Sequence, residues 1–109
     1  MALYSDLTIP ANIDPTPSNN GAITNVTVGT SSQSLIAANP NRQGFSIFNN
    51  SNRIVYLGIN SSVSATSNYF ARIPANGLYE WTLSSIYRGA IFAIANGTNA
   101  ICQVLETTP

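Results

Sequence analysis

A glutamate pair, one cysteine and four arginines are the residues of this chain that come first as candidates for chemistry, beside two aspartates, Asp6 and Asp14. Glu80 and Glu106 are the candidates for the two carboxylates that flank a glycosidic bond in a glycoside hydrolase. Each sits beside bulky apolar residues (Tyr79 and Trp81, and Leu105), which equally suits the solvent face of a strand or an arginine partner. Cys102 alternates with Ile101 and reads as a buried structural thiol. The sequence contains no His and no Lys, so no Ser or Thr has a general base, and a Ser–His–Asp site is impossible. One cysteine without histidines supplies at most a single soft ligand, so no metal and no cofactor is expected. Gly89 and Gly97 lie too far apart, with no Lys after them, to form a phosphate loop. These absences point away from an enzyme.

The arginines, Arg42, Arg53, Arg72 and Arg88, each fall at a strand edge or in a turn. In a chain with only four basic and four acidic side chains, 7% charged in all, each has a choice between solvent and a dedicated partner. A planar guanidinium fork suits carboxylates and backbone carbonyls at contacts between subunits. Tyr79 and Trp81 alternate with Glu80 and offer three readings: core filling, a protein interface, or stacking on sugar rings.

The elements that must position these groups are short. Net charge is zero and 44% of the 109 residues are hydrophobic, so one domain with a single core is expected. Four arginines balanced by four acids are too few for non-specific nucleic-acid binding, and no basic run exists to hold an anionic membrane. The longest apolar run, Ala90 to Ala95, is far shorter than the roughly 20 residues of a membrane span. The first ten residues show no signal-peptide pattern, so synthesis in a reducing cytoplasm is expected. Four Asn-x-Ser/Thr patterns stand against the about three that chance would place in a chain this rich in Asn, Ser and Thr, and without a signal peptide they carry no meaning. A surface with so little charge favours association.

Residues 1–20 contain Pro10, Pro15 and Pro17, and read as an extended N-terminal arm with Leu3, Tyr4, Leu7 and Ile9 as apolar handles. Residues 21–109 read as the sandwich domain. Its strands are expected at Ile23–Val28, Ser34–Ala37, Gly44–Phe48, Arg53–Ile59, Tyr69–Ile73, Leu78–Leu83, Ala90–Ala95 and Ala100–Glu106. Such spacing predicts an all-β antiparallel sandwich of about eight strands. Asn96-Gly97, between the last two, predicts a tight hairpin. Asn76-Gly77 and Asn49–Asn52 predict turns, and Asn60 to Asn68 a surface loop.

The order of these segments resembles small β-sandwich proteins of tailed-phage virions. The resemblance runs over residues 35–106. It is carried by Asn39-Pro40-Asn41-Arg42 before the strand Gly44 to Asn49, by Val55-Tyr56-Leu57-Gly58, by Gly77-Leu78-Tyr79-Glu80, by Tyr87 to Ile94 and by Val104-Leu105-Glu106. It implies a jelly-roll-like sandwich and a virion structural role. A free-standing chain of this length looks most like a capsid decoration (cement) protein on the capsid exterior. It would bind the major capsid protein and bridge neighbouring capsomers as a homo-oligomer, a trimer before a dimer. The arm's Tyr4, Leu7 and Ile9, together with Arg42, Arg53 and Arg88, are then the expected contact residues. A carbohydrate-binding module, and a tail, neck or fibre protein, are the alternatives.

Overall fold

A computed structural model describes residues 18–81 and 85–109. Among the described residues there are eight β-strands: β1 (Asn20–Val28), β2 (Gln33–Ile36), β3 (Gly44–Asn49), β4 (Val55–Gly58), β5 (Ala71–Ile73), β6 (Leu78–Glu80), β7 (Ile91–Ala95) and β8 (Ala100–Thr108). They form two four-stranded sheets, ordered β1-β8-β3-β6 and β2-β7-β4-β5, in which every neighbouring pair is antiparallel. The expected all-β antiparallel sandwich is therefore the architecture. Pairings β1 with β8, β2 with β7, β3 with β6 and β4 with β5 describe one long hairpin folded back on itself. Successive rungs of that hairpin fall in alternate sheets, and β8–β3 and β7–β4 complete the ladders.

The alternation read from the sequence decides which side chains face inward. In β3, Phe45, Ile47 and Asn49 are buried; in β7, Ile91, Ala93 and Ala95; in β8, Ala100, Cys102 and Val104. These meet Val28, Leu35, Ile36, Val55, Leu57 and Ile73 in one core. β4, apolar on both faces, is an inner strand with all four residues buried. Its outer side, Tyr56 and Gly58, is covered by the segment 59–70. The Tyr69 ring meets the Tyr56 ring edge-on at 5.0 Å, and Val63 is buried against Gly58. A Cβ at Gly58 would lie 2.6 Å from Val63 Cβ and 2.9 Å from the Asn68 carbonyl oxygen, so only glycine admits this cover.

The hairpin expected at Asn96-Gly97 is corrected. β7 and β8 lie in opposite sheets, and residues 96–99 carry the chain from one to the other. The left-handed residue of that crossing is Asn99 (φ 61°), and neither Asn96 nor Gly97 has positive φ. Asn96 is held instead by β4's approach: its side-chain oxygen accepts from Ile54 N–H, and its own N–H donates to Ile54 O, both at 3.0 Å. The expected turn at Asn76-Gly77 is present, with Asn76 at φ 59° and Gly77 N–H donating to Pro74 O at 2.9 Å. β1 begins at Asn20, and Asn19 N–H donates to Thr108 O at 3.1 Å, so the sandwich starts slightly earlier than residue 21.

Burial in this core pushes the Cys102 thiol up to about 11 and raises the Tyr79 phenol above its ordinary value. Both groups stay neutral in the fold at pH values where the unfolded chain already ionises. The Cys102 contribution is fully present below about pH 9 and is lost as pH rises towards about 11, and that of Tyr79 is lost in the same direction at alkaline pH. Urea midpoints compared at about pH 8 and about pH 10 should therefore fall at the higher pH. Equal midpoints would contradict the burial of these groups.

Candidate functional site

Four of the crossings between the sheets turn backbone carbonyls toward two buried polar side chains, Arg42 and Asn49. At one end is Arg42, whose side chain is wholly inaccessible to solvent. Its Nε donates to Glu106 Oε2 at 2.7 Å. Nη1 donates to Tyr87 O (2.8 Å) and Gly89 O (3.0 Å), and Nη2 to Ala37 O (2.7 Å). The guanidinium carbon also lies 5.4 Å from the centre of the Phe45 ring. One fork thus joins the β2–β3 connection, the β6–β7 connection and β8. At the other end of β3, the buried Asn49 amide donates to Arg53 O (2.7 Å), Ile73 O (3.1 Å) and Pro74 O (3.0 Å). It ties the β3–β4 turn to the β5–β6 turn.

The role expected for Arg42 at an interface between subunits is corrected by this geometry. The fork to a carboxylate and to carbonyls exists, but within the chain, because the ladder places Gly44 and Thr107 as partners and brings Arg42 against Glu106. Arg53 and Arg88 are exposed. Arg88 Nε donates to Arg42 O at 2.9 Å, and Arg53 Nε to Thr98 O at 3.3 Å. They mark opposite ends of β3, so no single compact patch contains both. Tyr4, Leu7 and Ile9 lie outside the described residues. Asn49 was legible only as a turn residue; its inward position on β3, in phase with Phe45 and Ile47, was the available signal.

The carboxylate pair is separated by the sheet itself. Glu106 pairs with the inward Phe45, and Glu80 with the outward Ser46. The two therefore stand on opposite faces, and neither a water nor a sugar can be held between them. Among the described residues, no group of three or more His, Cys, Asp or Glu gathers to hold a metal ion, and no helix is long and apolar enough to cross a membrane.

Two surfaces remain. The outer face of β1-β8-β3-β6 presents Ile23, Leu105, Ile101 and Leu78, all exposed, with Phe48 half-buried among them. The register lines up Ile23 with Leu105 on one row, and Gln103, Phe48 and Leu78 on the next. Glu80 is the one charged residue the strands place there. A shallow depression of about 230 Å³ lies beside Leu105 and Glu80. The opposite sheet has its outer face partly covered by the chain's own 59–70 segment. This one has no comparable cover among the described residues.

The second surface is an open groove of about 620 Å³ at the β5 and β6 edge of the sandwich. Tyr69, Phe70, Tyr79, Trp81 and Tyr87 line it, with the amides of Asn60 and Asn68 and the side chain of Ile59. The rings brace one another: Phe70 meets Tyr79 edge-on at 5.8 Å, and Trp81 stacks on Tyr87 at 6.2 Å. Trp81 Nε1 donates to Ser85 O at 3.0 Å, which fixes the indole. Tyr69 and Phe70 are exposed and Trp81 is half-buried, its ring 5.5 Å from that of Phe45 while it also lines the groove. No lining side chain is charged at neutral pH.

Comparisons of the chain with known protein families, with curated proteins and with solved structures find no match.

Truncating Arg42 strands three carbonyl partners and a carboxylate, so Arg42→Met should lower stability by about 3–5 kcal/mol. Arg42→Lys should recover little of it, since an ammonium cannot span the fork. Glu106→Gln, at a position 24% exposed, should cost about 1–2 kcal/mol. Urea unfolding of the three variants checks the order.

Proposed function

We propose that this chain is a virion structural protein, a decoration protein that docks on the outside of a phage capsid and bridges neighbouring capsomers. The observation that carries the reading is the bare outer face of β1-β8-β3-β6, apolar and almost free of charge, on a chain whose other sheet is partly covered by its own loop. Docking such a face removes apolar area from water with little charge to desolvate. A standard-size contact of about 800 Å² per partner, repeated over a symmetric shell, reinforces the shell through many equivalent sites. The strand orders 1-8-3-6 and 2-7-4-5 support reading the sandwich as a jelly roll, an architecture used by viral capsid and lectin domains. The resemblance in residues 35–106 supports the virion setting. In this reading the partner is the major capsid protein and the active form a homo-oligomer.

The test is co-sedimentation with capsid shells prepared without the chain. The native chain should pellet with shells, and Leu78→Lys with Leu105→Lys should weaken binding at least about tenfold while leaving the fold intact, since both positions are exposed. A chain lacking residues 1–17, which keeps all of β1, measures the contribution of Tyr4, Leu7 and Ile9. No pelleting with shells, combined with capture by purified tails, would move the protein to the tail, neck or fibre class. Binding unchanged by the two lysines would remove this face from the account.

The groove favours a second reading, attachment to an uncharged glycan. Exposed aromatic faces beside primary amides suit pyranose rings, whose apolar faces stack and whose hydroxyls need neutral hydrogen-bond partners. Trp81, the single tryptophan, reports occupancy directly. Titration with neutral oligosaccharides should change its emission, and Tyr69→Ala should weaken the response about tenfold. Unchanged emission across neutral bacterial surface glycans would rule the reading out.

A further inference from the structure

The sandwich has four edge strands, and they are not treated alike. β5 is three residues long, carries Arg72 and runs into Pro74. β6 is three residues long and carries Glu80. β2 has four residues and a register break between Ser34 and Ile36. Short length, charge, proline and bulges are the devices by which sheet edges avoid pairing with other chains. β1 has none of them. It runs nine residues, Asn20–Val28, with no charged side chain and no proline, and its register with β8 is unbroken from Asn20 opposite Thr108 to Val28 opposite Ala100. Five of the nine are β-branched, which favours the extended state. Residues 20–25 are exposed on both faces of the strand, and Ile23 is 73% exposed. Among the described residues nothing pairs with the outer edge of β1.

We propose that β1 pairs antiparallel with β1 of a second copy across a two-fold axis, joining two four-stranded sheets into one of eight strands. An antiparallel strand pair is the arrangement in which a strand meets itself, so the contact closes as a dimer and uses the unprotected edge of both copies, leaving only the short, guarded β6 edges at the ends of the joined sheet. With net charge zero, nothing repels the second copy. Antiparallel backbone bonds over nine residues amount to about nine hydrogen bonds, comparable with the roughly ten of a typical interface. The pairing gives Ile23 cross-strand neighbours and makes the two bare outer faces continuous. That last consequence rests on the docking reading above; the pairing itself does not. It selects the dimer over the trimer that the virion resemblance favours.

The experiment uses the full chain alone, in the absence of shells, so its failure leaves the capsid reading to its own test. Light scattering on a sizing column, from low to high micromolar concentration, should return twice the chain mass. Thr24→Lys with Asn25→Lys places charge on both faces of the edge at exposed positions, and should return one chain mass with an unchanged circular dichroism spectrum. If that pair fails to fold, Asn25→Lys alone serves. Amide exchange in β1 should be about tenfold faster in the substituted chain than in the dimer. A monomer at all concentrations overturns the proposal, whether β1 amides exchange freely or are protected by residues 1–17. A trimer overturns it, and so does a dimer that survives the lysines with β1 exchange unaltered.

Discussion

A sandwich whose strands alternate between two sheets has to bring its turns over the ends of the core, and the carbonyls of those turns point into places that water does not reach. Leaving a buried carbonyl unpaired costs about 1–3 kcal/mol, so the architecture depends on polar side chains that gather several at once. Arg42 and Asn49 do this at the two ends of β3, with three carbonyls each. Arg42 also needs a counter-charge, and Glu106 supplies it from the inward row of β8. A protein with eight charged side chains thus commits two of them to its interior architecture. Removing the charge altogether with an apolar pair of similar volume would lose the bridging of three chain segments, which is the part of the interaction that specifies the fold.

The same economy of charge shapes the surface. Turns and loops are closed by uncharged groups: Asn39 and Asn60 side chains cap their own loops, accepting from Asn41 and Ser62 N–H at 3.0 and 2.9 Å. Ser64 holds the tip of the long loop through Ser67. With polarity concentrated there, the strands are free to carry apolar residues outward. One sheet hides part of its outer row beneath Val63 and Tyr69. The other leaves Ile23, Ile101, Leu105 and Leu78 in water. The asymmetry between the two faces, more than any individual residue, is what the proposed docking role rests on.

Much of this was legible before any coordinates. Eight strands follow from short apolar runs divided by Asn, Gly and Pro, and each lies close to its expected position. The inward role of Cys102 follows from alternation with Ile101 and Gln103. The lack of His and Lys is a property of the sequence that needs no fold to read. These features depend on residue type and on a period of two, which are local properties that a linear reading captures.

What only the tertiary structure decided is where those strands go and which polar groups lie between them. Asn96-Gly97 has the composition of a hairpin, yet its flanking strands pair with β2, β4, β1 and β3 instead of each other, because long-range pairing outweighs the preference of two residues. Glu80 and Glu106 look alike in sequence, and the register sets them on opposite faces. Arg42 has every outward sign of a surface residue. It is buried because its partners come from residues 37, 87, 89 and 106, and only a chain folded back on itself brings them together.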